Sequence, residues 1–186
     1  MRFLSFKWIF ITLLLAVFFH LAALFAIPRV IFTLLKYKTE KQAGGKNKIL
    51  FNELAQAGKD KIVRTSPDIL YAAISYDVSK NPIKVSFHQT NKNNYWSASL
   101  FEGKTGANIF TLNDSTVKNS TKSNVFSLVI KKQGSVYKEN EDEKTVGVKL
   151  DNGVLLYRMV LPNRENKAQV DSLINIQKRT TVKEIL

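Results

Sequence analysis

Residues 69–88 read "ILYAAISYDVSKNPIKVSFH". Leu70, Ala72, Ile74, Tyr76 and Val78 alternate with Tyr71, Ala73, Ser75 and Asp77. After "SKNP", Ile83, Val85 and Phe87 alternate with Lys84, Ser86 and His88. Successive side chains of a strand point to opposite faces of its sheet, so this period of two predicts two half-buried strands joined by a turn. The same period recurs downstream. Trp96, Ala98 and Leu100 alternate with Ser97 and Ser99, Phe126, Leu128 and Ile130 with Ser127, Val129 and Lys131, and Val146, Val148 and Leu150 with Gly147 and Lys149. "EGKTG" leads into a further strand, "ANIFTL" (107–112). "GVLLYRMVL" (153–161) is apolar on both faces and reads as a central strand, and "DNG" just before it predicts a two-residue hairpin, because Asn152 and Gly153 tolerate positive φ. Seven or eight short strands with polar turns predict a mainly β chain, a small antiparallel β-sandwich. "NRENKAQVDSLINIQKR" closes the pattern as a helix with Val170, Leu173 and Ile174 on one stripe.

Upstream the period disappears. Residues 8–27, "WIFITLLLAVFFHLAALFAI", carry no formal charge, and thirteen of these twenty are Leu, Ile, Phe or Val. Twenty helical residues span about 30 Å, the thickness of a bilayer's hydrocarbon core. There is no polar face of the kind a soluble helix shows, so one transmembrane helix is expected, bounded by Trp8 on one side and by Pro28 and Arg29 on the other. A cleaved leader would have a shorter apolar stretch and a small-x-small site. Leu24 spoils the site ending at Ala26, and an uncleaved anchor is the expectation. His20 lies near mid-span; with no second titratable group in the span, it reads as a neutral imidazole packed against a helix.

The net charge of +13 is uneven: the first 48 residues carry eight Lys/Arg against one Glu. Arg29, Lys36, Lys38, Lys41 and Lys46 follow the span, whereas Arg2 and Lys7 precede it. Counted alone, these charges place the C-terminal part in the cytoplasm, although long trailing domains translocate despite charge. Trp8, Arg29, Lys36 and Lys38 are the expected membrane-interface residues, a collar facing lipid phosphates. "RVIFTLLKYKTEK" sets Val30, Ile31, Leu34 and Leu35 on one stripe, suited either to the membrane surface or to an extension of the helix past Pro28. "QAGGK" breaks it, and "ILFNELAQAG" predicts a further helix ending at Gly58. The expected organisation is a tail (1–7), the membrane helix (8–27), a basic helical linker (28–66), the sandwich (67–162), and a C-terminal helix and tail (163–186).

Chemistry is thinly signalled. Without cysteine there is no disulfide, thiol nucleophile or cysteine–zinc site. His88 is the sole histidine outside the span, on the polar side of its strand, and no nucleophile-elbow motif frames a serine for it. "ENEDE" (139–143) matches no calcium loop and reads as a solvated hairpin tip; "LNDST" (112–116) reads as a turn. No phosphate loop, dinucleotide fingerprint or HExxH is present, so neither cofactor nor metal is expected. The basic flank lacks the interleaved aromatics of a single-strand nucleic-acid binder.

Three stretches together, "HLAALFAIPR", "SPDILYAAISYDVSKNPI" and "NYWSASLFEGKTGANIFTLND", resemble the short, membrane-anchored branch of the bacterial domain-of-unknown-function family 1254. The resemblance runs from the span to about Asp114 and implies an immunoglobulin-like sandwich. It also implies an envelope protein of the inner membrane with the β-domain in the periplasm, against the charge count. The companion is expected to be a second envelope protein of an associated unknown-function family (1214), supplied as a separate polypeptide. No reaction comes with the resemblance. The matching positions Pro67, Asp68, Tyr71, Asp77, Trp96, Asn108, Asn113 and Asp114 are expected to shape turns and core. A binding or assembly module is therefore the leading expectation. The alternatives are an envelope hydrolase completed by its partner and a cytoplasm-facing domain that binds nucleic acid.

Overall fold

The computed structural model describes residues 6–54, 65–88, 94–117, 125–140 and 143–185. Among the described residues helix α1 (Phe6–Ala43) leads into nine strands: β1 (Ile49–Phe51), β2 (Ile69–Asp77), β3 (Ile83–His88), β4 (Trp96–Glu102), β5 (Asn108–Asn113), β6 (Val125–Lys132), β7 (Glu143–Val148), β8 (Asn152–Val160) and β9 (Thr181–Glu184). A one-turn helix α2 (Asp114–Val117) follows β5, and α3 (Lys167–Lys178) precedes β9. One sheet has the order β1-β2-β8-β4-β5 and is antiparallel throughout. The other has the order β7-β6-β3-β9 and is mixed, because β6 and β7 run parallel. The chain is thus mainly β, two facing sheets behind one long apolar helix.

The inward residues of the period-two pattern meet between the sheets. Leu70, Ala72, Ile74 and Tyr76 from β2 join Ile83, Val85 and Phe87 from β3, and Leu155, Tyr157 and Met159 from β8. At the centre Phe87 stacks on Trp96 (centroids 5.8 Å, 25° between planes) and tilts against Tyr157 at 5.0 Å. Tyr157 meets Trp96 edge-on at 5.9 Å. The two Phe87 contacts cross from one sheet to the other, the Tyr157–Trp96 contact joins neighbouring strands of one sheet, and each aromatic pair adds about 0.5–1.5 kcal/mol beyond its area. Val170 and Leu173 of α3 close one side of the core, with Asn166 Oδ1 capping the helix at the Gln169 N–H. The apolar sequence of β8 has its reason here: β8 is hydrogen-bonded along both edges, to β2 and to β4.

Of the two forms expected after Pro28 the structure has the extension: the helix continues to Ala43, since proline removes one hydrogen bond without ending an otherwise uniform helix. Four features differ from the sequence reading. Ile49–Phe51, read as the start of a helix, instead pairs with β2, so part of the expected linker belongs to the sheet; residues 55–64 lie outside the described residues. "DNG" is no hairpin. β7 and β8 lie in different sheets, Asn152 and Gly153 are the first residues of β8, and neither has positive φ. Gly153 is needed for packing, since a Cβ there would sit 2.1 Å from the Phe101 carbonyl oxygen and 2.5 Å from the Tyr76 hydroxyl. The third feature is β9, which follows the expected C-terminal helix and adds to the edge of β3. Lastly, "ENEDE" is not wholly a solvated tip: the side chain of Glu143 is only 3% exposed and ion-paired with Lys84. Its carboxylate also accepts from Tyr137 (2.8 Å) and from the Asn140 side chain (3.0 Å). Burial opposes its charge, but the hydrogen bonds from Lys84 and Tyr137 win and lower its pKa.

The aromatic trio sets a test of the core. Replacing Phe87 by Ala is expected to cost about 3–5 kcal/mol in urea unfolding of the detergent-solubilised chain. Tyr157→Phe should fall within about 1 kcal/mol of the parent or stabilise it, because the buried Tyr157 hydroxyl has no partner among the described residues.

Candidate functional site: the outer face of the five-stranded sheet

The outward residues of β2, β8, β4 and β5 build a surface in two halves. In the first half the end of α1 is bonded to the sheet. Phe32, Lys36, Thr39, Glu40 and Ala43 recur at helical spacing and form the side of α1 least open to solvent. Lys36 Nζ donates to Asn152 Oδ1 at 2.9 Å, and Ser75 Oγ donates to Glu40 Oε1 at 2.7 Å. Gly44 ends the helix at φ 77°, a left-handed conformation open to glycine. Asn47, itself at φ 57°, then clamps the chain to β2: its Oδ1 accepts the Asp77 N–H (2.8 Å) and its Nδ2 donates to the Asp77 carbonyl (3.0 Å). The same Nδ2 lies 3.1 Å from Glu184 Oε1 on β9, so one side chain ties helix end and both sheets together.

Asp77 is the charged centre of this junction. Lys46 donates to its Oδ2 at 2.6 Å, and the Ser79 N–H to its Oδ1 at 3.0 Å. Partial burial works against the carboxylate, but the hydrogen bonds from Lys46 and Ser79 outweigh it and hold its pKa down at about 2. The same bond raises the Lys46 pKa.

The second half is a polar row across the sheet. Register aligns Tyr71 with Arg158, Arg158 with Ser97, and Ser97 with Asn113. Arg158 Nη2 donates to Ser99 Oγ at 2.8 Å, and Thr111 Oγ1 approaches the same oxygen at 3.2 Å. Among the described residues no carboxylate pairs with Arg158, and its buried Nε–H has no partner. Such a row offers N–H donors to an anionic or carbonyl group. It holds no nucleophile–base pair.

The residues singled out from sequence do not converge. Trp8 and His20 are exposed on α1. Arg29 folds back along the helix, its Nη1 2.6 Å from the Phe25 carbonyl and its guanidinium 5.9 Å from the Phe25 ring. Lys38 is exposed, while Lys36 belongs to the junction. Pro67 and Asp68 form the turn into β2, where the Asp68 carbonyl accepts the Leu161 N–H at 2.8 Å. Tyr71 is half-buried, and its hydroxyl accepts the Ser66 N–H at 3.2 Å. Trp96 is core. Asn108 caps the start of β5 by accepting the Phe110 N–H (3.2 Å), and Asn113 Oδ1 accepts the Thr116 N–H (3.0 Å), with Asp114 opening α2. His88 ends β3 half-buried, and no ion pair joins it to a carboxylate among the described residues. Sequence reasoning missed Glu40, Asn47, Asn152 and Arg158. Only Asn47 carried a signal: beside "GG", asparagine is the residue that most readily follows a helix end into left-handed φ.

The family described as "Protein of unknown function (DUF1254)" matches residues 47–184, and the chain belongs to it. The matched region begins at Asn47, the clamp residue. No curated protein matches the chain. Among solved structures it is similar to a protein from Vibrio parahaemolyticus, with a TM-score of 0.54 and 15% identity, covering 64% of this chain and 28% of that one. It is also similar to a putative uncharacterized protein from Burkholderia cenocepacia, with a TM-score of 0.52 and 12% identity, covering 85% of this chain and 40% of that one. At these identities the likeness is one of fold. The chain spans well under half the length of either protein.

The depressed Asp77 pKa fixes a pH dependence. Asp77 binds its proton more weakly folded than unfolded, so its contribution is complete above about pH 4 and is lost as pH falls toward 2. After screening at the exposed Lys46, the contribution is on the order of 1 kcal/mol. Urea midpoints measured across this range should fall more steeply for the parent than for Asp77→Asn.

Proposed function

We propose that the chain is a single-pass inner-membrane protein that holds its sandwich in the periplasm as a binding or assembly module. One observation carries the reading. The most apolar stretch of α1 is wholly uncovered by protein, yet the last turns of the same helix are bonded to β2 and β8. A helix of that composition needs lipid around it. Its unbroken passage into the junction makes the domain a fixed extension of the anchor rather than a body on a flexible tether.

The partner we propose is a second envelope protein of the companion unknown-function family. The row from Tyr71 to Asn113 suits such a partner, because no carboxylate among the described residues neutralises the Arg158 guanidinium there. A periplasmic domain runs against the simple charge count. However, Lys36 and Lys46 have folded-state partners in Asn152 and Asp77, which accounts for their presence on either side of a membrane.

Protease treatment of spheroplasts carrying a C-terminally tagged chain tests the placement. Loss of the tag without lysis is the expected result; a tag protected until lysis would put the domain in the cytoplasm.

A further inference from the structure

The junction fixes how the sandwich is turned relative to the helix axis. Phe32 meets the β4–β5 turn, where a Cβ on Gly106 would come within 2.8 Å of its ring. Lys36 meets the first residue of β8 and Glu40 meets β2. From Phe32 to Glu40 the helix rises about 12 Å. Across the sheet, from the β4–β5 turn past β4 and β8 to β2, there are about two and a half strand spacings, again roughly 12 Å. The two lengths agree, so α1 crosses the strands nearly at right angles. If α1 stands across a bilayer, the strands lie along its surface, stacked outward in the order β5, β4, β8, β2, β1.

Depth follows from the same helix. Trp8 to Ile27 fills the hydrocarbon core, and Phe32 lies about 7 Å further on. The headgroup layer adds roughly 5–8 Å on each side of the core. The side of α1 turned away from the sandwich agrees, since Ile31 and Leu34 stay exposed beyond the span. Gly106, held against Phe32 at φ 66°, is therefore at headgroup depth, and β5 starts beside it.

The composition of this edge fits that depth. Among the described residues outside α1, three large apolar side chains are exposed: Tyr95, Ile109 and Val136. Ile109 is on β5 and Tyr95 immediately precedes β4. Lys104, exposed at the tip of the turn, supplies a cation. The turn is stiffened by the Gly106 N–H to the Glu102 carbonyl (2.9 Å) and by Thr105 Oγ1 to Glu102 Oε2 (3.0 Å). An open strand edge needs cover for its N–H and C=O groups, and β5 is the end strand of its sheet.

We infer that β5 and the β4–β5 turn are a second membrane contact, lying edge-on in the phospholipid headgroup layer with Ile109 inserted and Lys104 toward lipid phosphates. This rests on the anchor reading above, and the test separates the two. The chain has no cysteine, so single cysteines can carry an environment-sensitive fluorophore in the full-length protein, reconstituted in phosphatidylcholine–phosphatidylglycerol vesicles. Three variants are compared: Leu14→Cys within the span, Ile109→Cys on β5, and Asn52→Cys just past β1 at the opposite sheet edge. The expected result is blue-shifted emission at 14 and 109 with an aqueous spectrum at 52, and quenching at 109 by headgroup-nitroxide lipid but not by a nitroxide deep in the acyl chain. A lipid signal at 14 with an aqueous spectrum at 109 overturns the edge contact and leaves the anchor standing. An aqueous spectrum at 14 overturns both. A label at 109 that is shielded in native membranes but aqueous in pure lipid vesicles would give this edge to a protein instead.

Discussion

Ser75 and Asp77 lie on the outward side of β2, where a strand of a sandwich normally meets water. Here they meet the end of a helix. Glu40 takes the hydroxyl of Ser75, and Asn47 takes both backbone groups of Asp77 in the manner of an additional strand residue. The orientation of the sandwich relative to α1 depends on this seam. Were the helix joined to the sheet by a solvated linker, its axis would bear no fixed relation to the strands. Four hydrogen bonds and one ion pair, spread between Lys36 and Asn47, make that relation definite. Each alone is worth about a kilocalorie per mole, but they act on adjacent turns and constrain one another.

The seam would be useless on a soft body. The sheets are coupled across the core by Phe87, Trp96 and Tyr157, and Tyr76 packs against the backbone of Gly153 so closely that no side chain fits there. β8 passes through both features. Its first residue receives Lys36, its second admits Tyr76, and its sixth is Tyr157. The helix is therefore fastened to the strand that is itself best held, paired on both edges and buried on its inner face.

Period two placed five of the seven strands longer than four residues, since each has one face in the core and alternation records that directly; β5 was legible from the turn before it and β8 from a run apolar on both faces. It could not find β1 and β9. Three or four residues hold too few alternations to stand out, and both strands exist because a neighbouring edge was free to pair. The alternation also assigned Ser75, Ser97 and Ser99 to the outer face, yet all three are buried. Outer is not the same as wet: α1 reaches over Ser75 and Arg158 over Ser99, and contacts between residues this far apart in the chain leave no local trace. "DNG" failed for a related reason. The dipeptide permits a hairpin, but the neighbours β8 acquired were β2 and β4, while β7 paired with β6 in the other sheet.

The family positions carry a further argument, through where they fall. Catalytic groups from distant strands are brought together at one place, because chemistry acts on one set of atoms. Here Trp96 is in the core, Pro67 and Asp68 turn the chain into β2, Asp77 holds the helix seam, and Asn108 and Asn113 cap the two ends of β5. These positions mark the corners and joints of a body rather than the walls of one site. Two of them bracket β5 and one, Asp77, holds the end of the helix. These residues thus fix the shape of the sandwich and its attachment to α1, whereas Arg158 stands on the outer face between those joints.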